Sequence, residues 1–378
     1  MKIGIFETEH FECAYPVIKL FDNNQNDITV FCYQESFEQF KYLFPGEPKC
    51  YLWRVKPWNR SKYRFILDMY REIKKSKIDL VYLDTISNNF IVYALFVFLL
   101  RKKRIVLTIH NINTQFEFKR SLSPRRIVRF IGRKMLMAVV KEFNVIAMTM
   151  VEQLSVKIPN NKKIHCVPGA IFEEERTRQT SPPIHDEVSI VVPGTIDGRR
   201  RDYEQALELV RLLDQMNIKV TMTFLGRFFG DYGQQLLEKI KALNLSNVNL
   251  RYYDNEIVAQ PEFDHVMNKA HLVYIPSVLS TILEDGVTER YGETISSGNL
   301  FDVVKYAKPF IIPDELQVDP YLENSCRRYG NVGQIADLVL AFHNRPVTYN
   351  NLQQEALKSS LHYTIGKVRE RNASLFNS

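Results

Sequence analysis

Several short segments of this sequence gather residue types that handle anionic or polyhydroxylated ligands. One runs Gly194, Thr195, Ile196, Asp197, Gly198, Arg199, Arg200, Arg201. It follows a β-like run and precedes a helix-like one, so glycine can bring backbone close to a ligand while arginines supply charge. Arg is planar, bidentate and charged at every relevant pH. That suits a diphosphate, above all a leaving nucleoside diphosphate on which negative charge accumulates. A solvated basic turn is the alternative. Arg227, behind Gly226 at the next expected strand end, adds a further cation.

A second segment, 291–299, ends in Ser296, Ser297, Gly298 and Asn299, just before a helix expected from Leu300. Free N–H groups and the helix dipole favour an anion there, although Ser and Asn also cap helices without any ligand. Glu293 and Asp302 are its carboxylates, able to accept hydrogen bonds from sugar or ribose hydroxyls. His110 follows an apolar run, where a neutral imidazole can bind a substrate hydroxyl or act as a base. Glu9 and His10 stand similarly behind the first run, and in a direct displacement either could deprotonate an acceptor hydroxyl.

The elements that position these residues alternate. Short apolar runs at 2–6, 28–32, 80–83, 105–109 and 145–148 are separated by helix-like stretches such as 65–74 and 125–143. A polar stretch containing three consecutive Glu and two Pro breaks the rhythm. A second series follows, with strands expected at 188–192, 219–224, 248–252, 272–275 and 310–312. Its helices are expected at 203–216, 231–243, 262–269 and 300–306. The expected fold class is α/β, two doubly wound, Rossmann-like domains facing a cleft. The expected boundaries are 1–170 for the first domain, 171–187 for a linker, 188–350 for the second domain and 351–378 for a closing helix. Open α/β sheets bind ligands outside the carboxyl ends of their strands, where all the segments above lie.

Composition sets the outer limits. The chain has 378 residues, 45% apolar and 25% charged, which excludes wholesale disorder and a disulfide-stapled miniprotein. Five scattered cysteines, Cys13, Cys32, Cys50, Cys166 and Cys326, form no Cys-x-x-Cys or Cys/His cluster. They fit a reducing compartment, and the strand-like start without a signal-like segment leads to the expectation of a cytoplasmic protein. The net charge of +7 favours phosphates or anionic lipid as partners. Basic and apolar residues interleave at 125–136 and where 90–100 meets 101–104, as at a peripheral membrane surface or on a core helix with a basic outer side. The apolar run 90–100 is too short to span a bilayer. No nucleic-acid partner is expected. P-loop, His-Glu-x-x-His, Gly-x-Ser-x-Gly and Gly-x-Gly-x-x-Gly motifs are missing.

The ordered set of loops resembles the GT-B glycosyltransferases, and in particular glycosyltransferase family 4, over essentially the whole chain. Val167-Pro168-Gly169-Ala170 resembles the turn before the linker, Val192-Pro193-Gly194-Thr195 with the arginines the first loop of the second domain, and Phe224-Leu225-Gly226-Arg227 the next strand end. Ile275-Pro276-Ser277 and Ala307-Lys308-Pro309-Phe310-Ile311-Ile312 follow in the family's order. The family's E-x7-E element places Asp302 at the ribose-binding carboxylate. Its first Glu falls on Thr294, next to Glu293, which departs from the pattern. His110 matches a strand-end histidine beside the transferred sugar. The resemblance implies transfer of a sugar, with retention, from a nucleotide-sugar held by the second domain, 188–350, to a glycan or lipid-linked acceptor bound by the first, 1–170, in polysaccharide or glycolipid synthesis. It implies neither metal nor other cofactor. A nucleotide-sugar epimerase or phosphorylase, or a non-catalytic binding protein, are the alternatives on the same frame.

Overall fold

Most of the short apolar runs become strands buried on both faces, and the amphipathic stretches between them become the covering helices. A computed structural model describes residues 1–23, 25–44, 51–175, 183–254, 257–283 and 285–376. The first sheet contains β1 (Lys2–Glu7), β2 (Asp27–Tyr33), β3 (Tyr51–Lys56), β4 (Leu80–Leu83), β5 (Arg104–Ile109), β6 (Glu142–Val145) and β7 (Lys163–Cys166). All are parallel, in the order β3-β2-β1-β4-β5-β6-β7. The second domain adds β8 (Val188–Pro193), β9 (Val220–Arg227), β10 (Val248–Tyr253), β11 (Leu272–Tyr274), β12 (Ser280–Ile282), β13 (Thr288–Arg290), β14 (Phe310–Pro313) and β15 (Cys326–Tyr329). Its parallel sheet runs β10-β9-β8-β11-β14-β15, and β12 and β13 form a separate antiparallel hairpin. Period-two alternation fills two cores per sheet. Val188, Ile190 and Val192 enter one and Val191 the other. Among the described residues no helix is long and apolar enough to cross a membrane.

The differences from the sequence reading have physical causes. The strand expected at 145–148 lies instead at 142–145, because its polar residues are paired. Glu142 accepts from Arg104 and contacts His165 Nε2 at 2.9 Å, while buried Asn144 exchanges hydrogen bonds with both backbone groups of Val167. β3, β7 and β15 carry charged or polar residues that hid them from an apolar count. The helix expected over 125–143 ends at Val139, leaving room for β6. The single closing helix is divided into Pro346–Leu361, Ile365–Arg371 and Ala373–Phe376. Part of the expected linker, 176–182, and Cys50 lie outside the described residues.

Polar ties as well as packing hold the domains face to face. The last helices return to the first domain, where Val368 and Leu375 join its core and Arg369 donates to the carbonyls of Leu20 and Asp22. On the other side the β12–β13 hairpin reaches across. Buried Glu289 accepts the backbone N–H groups of Asn113 and Thr114 and the Thr114 hydroxyl, at 3.2, 2.6 and 2.6 Å. Asp285 meets Arg129 at 3.2 Å and Arg133 at 2.5 Å, on the helix Pro124–Val139. Removing one partner of a buried ion pair strands the other charge, a loss of about 3–5 kcal/mol. Asp285→Ala is therefore expected to lower the midpoint of chemical unfolding markedly; an unchanged midpoint would show that the hairpin tie does not hold the domains.

Candidate active site

Strand order alone marks two places for ligands. In each sheet one strand has its successors on both sides, β1 between β2 and β4, and β8 between β9 and β11. The loops leaving such a pair part in opposite directions and open a crevice at the carboxyl ends. The two crevices face each other across a cleft of about 1330 Å³. Its lining includes Glu9, His10 and His110 from the first domain. From the second come Gly194, Thr195, Arg199, Arg200, Arg201, Ser296, Ser297, Gly298, Asn299 and Asp302.

On the second-domain side, two of the expected polar groups turn out to build the site. Buried Arg201 donates to the Thr195 carbonyl, the Tyr203 hydroxyl and Asn299 Oδ1. Asn299 in turn donates to the Pro193 carbonyl at 2.8 Å, so the loop after β8 is knotted to the start of the helix Gly298–Tyr306. Gly194 at φ +90 turns this loop, and a Cβ on Gly226 would strike the Gly194 carbonyl. Arg199 is held by Asp197 at 2.6 Å. Arg200 is exposed at the cleft, with no ion pair among the described residues. Ser297 forms no side-chain cap on the helix it precedes, and the shielded Ser296 hydroxyl has no hydrogen-bond partner. Donors of a helix N-terminus, an unengaged hydroxyl and a guanidinium thus converge where an anion would fit.

Asp302 lies one turn along the same helix, partly exposed to the cleft, and burial pushes its carboxyl up to about 7 against the pull of Lys305 and Arg201. Two expected members stand outside the cleft lining. Glu293 is paired with Arg290 at 2.8 Å and accepts from Gln317, and Arg227 is exposed, its guanidinium 5.0 Å over the Phe229 ring. Both were placed by chain proximity to a loop that aims them elsewhere. Among the described residues no three or more His, Cys, Asp and Glu side chains gather as for a metal ion.

On the first-domain side, His10 and His110 stack obliquely, ring centroids 5.3 Å apart. His110 Nε2 lies 3.1 Å from the Thr85 hydroxyl and 3.3 Å from the Asp84 carbonyl. A carbonyl only accepts, so the Nε2 proton is the consistent assignment and Nδ1 keeps the lone pair. Burial, with His10 beside it, drives His110 down to about 3. His10 goes up to about 9, chiefly through the Glu12 carboxylate 3.8 Å from its Nδ1, despite partial desolvation. Glu9 accepts from the Ser87 hydroxyl.

Beneath them lies a pair that the sequence reading passed over. Glu7 ends β1 and Asp84 follows β4, so adjacent strands deliver two almost fully buried carboxyls. Glu7 Oε1 accepts the backbone N–H groups of Glu9 and His10, which shapes the loop carrying both. Glu7 Oε2 and Asp84 Oδ2 have no hydrogen-bond partner, and desolvation raises both groups above the usual carboxylate range. The signal was available in the sequence: an acid ending an apolar strand, twice.

Two titrations follow. In ring-proton NMR, His10 should titrate near 9 while His110 stays neutral from pH 5 to 8; a His110 transition near 6.5 contradicts the assigned environment. A carboxyl raised in the folded state binds its proton more tightly there than when unfolded, so Asp302 reduces stability as pH rises from about 4 to about 7. Asp302→Asn should accordingly raise the melting temperature more at pH 8 than at pH 5; an equal shift at both would refute it.

No family model matches the sequence, and no curated protein matches it. Solved structures do. The chain is similar to the pneumococcal O-GlcNAc transferase GtfA in complex with UDP and GlcNAc, at 8% identity, covering 100% of this chain and 98% of that one, with TM-score 0.61. It is similar also to UDP-GlcNAc 2-epimerase from Neisseria meningitidis bound to UDP-GlcNAc, at 14% identity, 99% of each chain and TM-score 0.58. A third is the lipopolysaccharide outer core galactosyltransferase WaaB, at 11% identity, 100% and 99% coverage and TM-score 0.55. At such identities the likeness is one of fold, and the fold is GT-B: two Rossmann-like domains facing a cleft.

Proposed function

We propose that the protein is a glycosyltransferase that moves a sugar from a nucleotide-sugar to an acceptor hydroxyl. The nucleotide diphosphate sits at the amino end of the helix Gly298–Tyr306, against Arg200 and the Ser296 hydroxyl, with Asp302 accepting from the ribose. Neutral His110 faces the transferred sugar, and Glu9 or cationic His10 handles the acceptor. Transfer to a glycan or lipid-borne acceptor, with retention and without metal, completes this reading.

The observation that carries it is the shape of the cleft. Pockets that enclose one drug-sized ligand measure roughly 300–1,000 Å³. This cleft, at about 1330 Å³, continues beyond the histidines along Tyr15, Phe44 and Tyr51. Their rings pack at 5.0 and 5.4 Å between centroids, an apolar wall suited to the face of a second sugar ring. A transferase needs room for a second substrate, whereas an epimerase does not. One observation favours the epimerase reading, the buried Glu7–Asp84 pair beneath the histidines, because carboxyls whose proton affinity is raised by burial are suited to acid–base steps.

Thermal shift with UDP, GDP, ADP, CMP and dTDP, with and without magnesium, identifies the donor class. One nucleotide should raise the melting temperature without metal, and Arg200→Ala should weaken its binding about tenfold, the effect of one charge-assisted hydrogen bond. Arg199→Ala, which removes a guanidinium already held by Asp197, should do less. Equal affinity in Arg200→Ala and the parent, or conversion of a UDP-sugar without any acceptor, would overturn the transferase reading.

A further inference from the structure

We propose that the outer face of the helix Pro124–Val139, with its neighbour Phe90–Leu99, seats the protein on an anionic phospholipid bilayer. A surface helix ordinarily turns its apolar stripe inward. Pro124–Val139 carries a second apolar stripe on its outer face. The inner side buries Leu136 and Met137 with Gly132 and the charged Arg133, while Ile127, Val128, Ile131 and Met135, recurring at helical spacing, all face solvent. Arg133 is tied inward by Asp285, so the helix cannot roll to hide its apolar stripe without breaking a buried ion pair.

The neighbouring helix packs tightly at Gly132, where a side-chain carbon would come within 2.8 Å of the Ile91 nitrogen. It too leaves large apolar groups outside, with Phe98 48% and Leu99 59% exposed, and Leu122 in the preceding loop is fully exposed. Nine of the twenty exposed large apolar side chains among the described residues fall between positions 95 and 135.

Charge selects the occupant. The same segment holds eleven Lys and Arg and one acidic residue, Glu117, although the whole chain is only +7. Arg101, Lys102, Lys119, Arg120, Arg125 and Lys134 are all exposed. A second copy stacked on this face would oppose like charges, and a nucleic acid would leave the apolar stripe unmatched. An anionic bilayer matches both, with apolar side chains at the acyl boundary and cations among headgroup phosphates. The inner side of the same helix lines the cleft through Arg129 and Arg133. Resting on the transferase reading, this placement brings the cleft to the membrane and makes the acceptor lipid-borne.

The test is co-sedimentation of the full chain with vesicles of phosphatidylcholine alone and of phosphatidylcholine mixed with phosphatidylglycerol. Binding is expected only to the mixed vesicles and should fall with added salt. The double variant Val128→Asp/Ile131→Asp should bind them at least roughly tenfold more weakly, and Lys102→Glu/Arg125→Glu should lose roughly fivefold or more per cation. Both variants alter exposed positions and should keep the parent melting temperature and nucleotide response. No sedimentation, equal binding by the variants, or self-association that the same substitutions abolish would overturn the proposal. Vesicle binding without any nucleotide shift would instead overturn the transferase reading and leave this one standing.

Discussion

The arrangement depends on a small set of charges removed from water, the Asp285 carboxylate between Arg129 and Arg133. Such a group has few tolerable alternatives, because separating the domains would leave buried charge without a partner. It joins a hairpin of the second domain to a helix of the first. Glu289 repeats the logic on the same hairpin, with a fully buried carboxylate whose acceptors are filled by the backbone beside Thr114. Together these ties fix the distance at which the two strand-end crevices confront each other. They also orient the helix Pro124–Val139, leaving its apolar stripe outward.

Within each half of the cleft, buried polar groups shape loops, and groups closer to solvent remain available to a ligand. Arg201 and Asn299 join the loop after β8 to a helix start, which leaves Arg200, Ser296 and the first helical N–H groups to meet an anion. Glu7 plays the corresponding part opposite, holding the backbone of Glu9 and His10. The contrast between the histidines follows from the same division. His10 at the rim gains a proton beside Glu12, and His110 deeper in the domain loses one.

Much of the frame was legible before any coordinates. Parallel sheets bury both faces of their central strands, so β1, β2, β4, β5, β8, β9, β11 and β14 read as apolar runs in the right order. Strands whose polar side chains find partners in the fold escaped that reading, as Glu142 and Asn144 of β6 did. So did the edge strands β3, β7 and β15 and the hairpin that carries the domain tie. Of the expected site residues, those directly behind buried strands or before the helix Gly298–Tyr306 line the cleft. Glu293 and Arg227 lie outside that lining, because neighbouring positions in a loop can face opposite sides.

What the sequence by itself determined was therefore the α/β class, the two-domain division, the GT-B resemblance and the loops that line the cleft. The class and the division follow from local periodicity, the loops from the rule that strand ends carry the crevice, and the resemblance from the order of the loop motifs. The tertiary structure decided which polar groups serve the fold and which face the cleft. It separated Arg200 from Arg201 and Asp302 from Glu293, and it brought Glu7 beside Asp84. The reason is physical: whether a charge is free depends on burial and on partners tens or hundreds of residues away, and no local spacing encodes them.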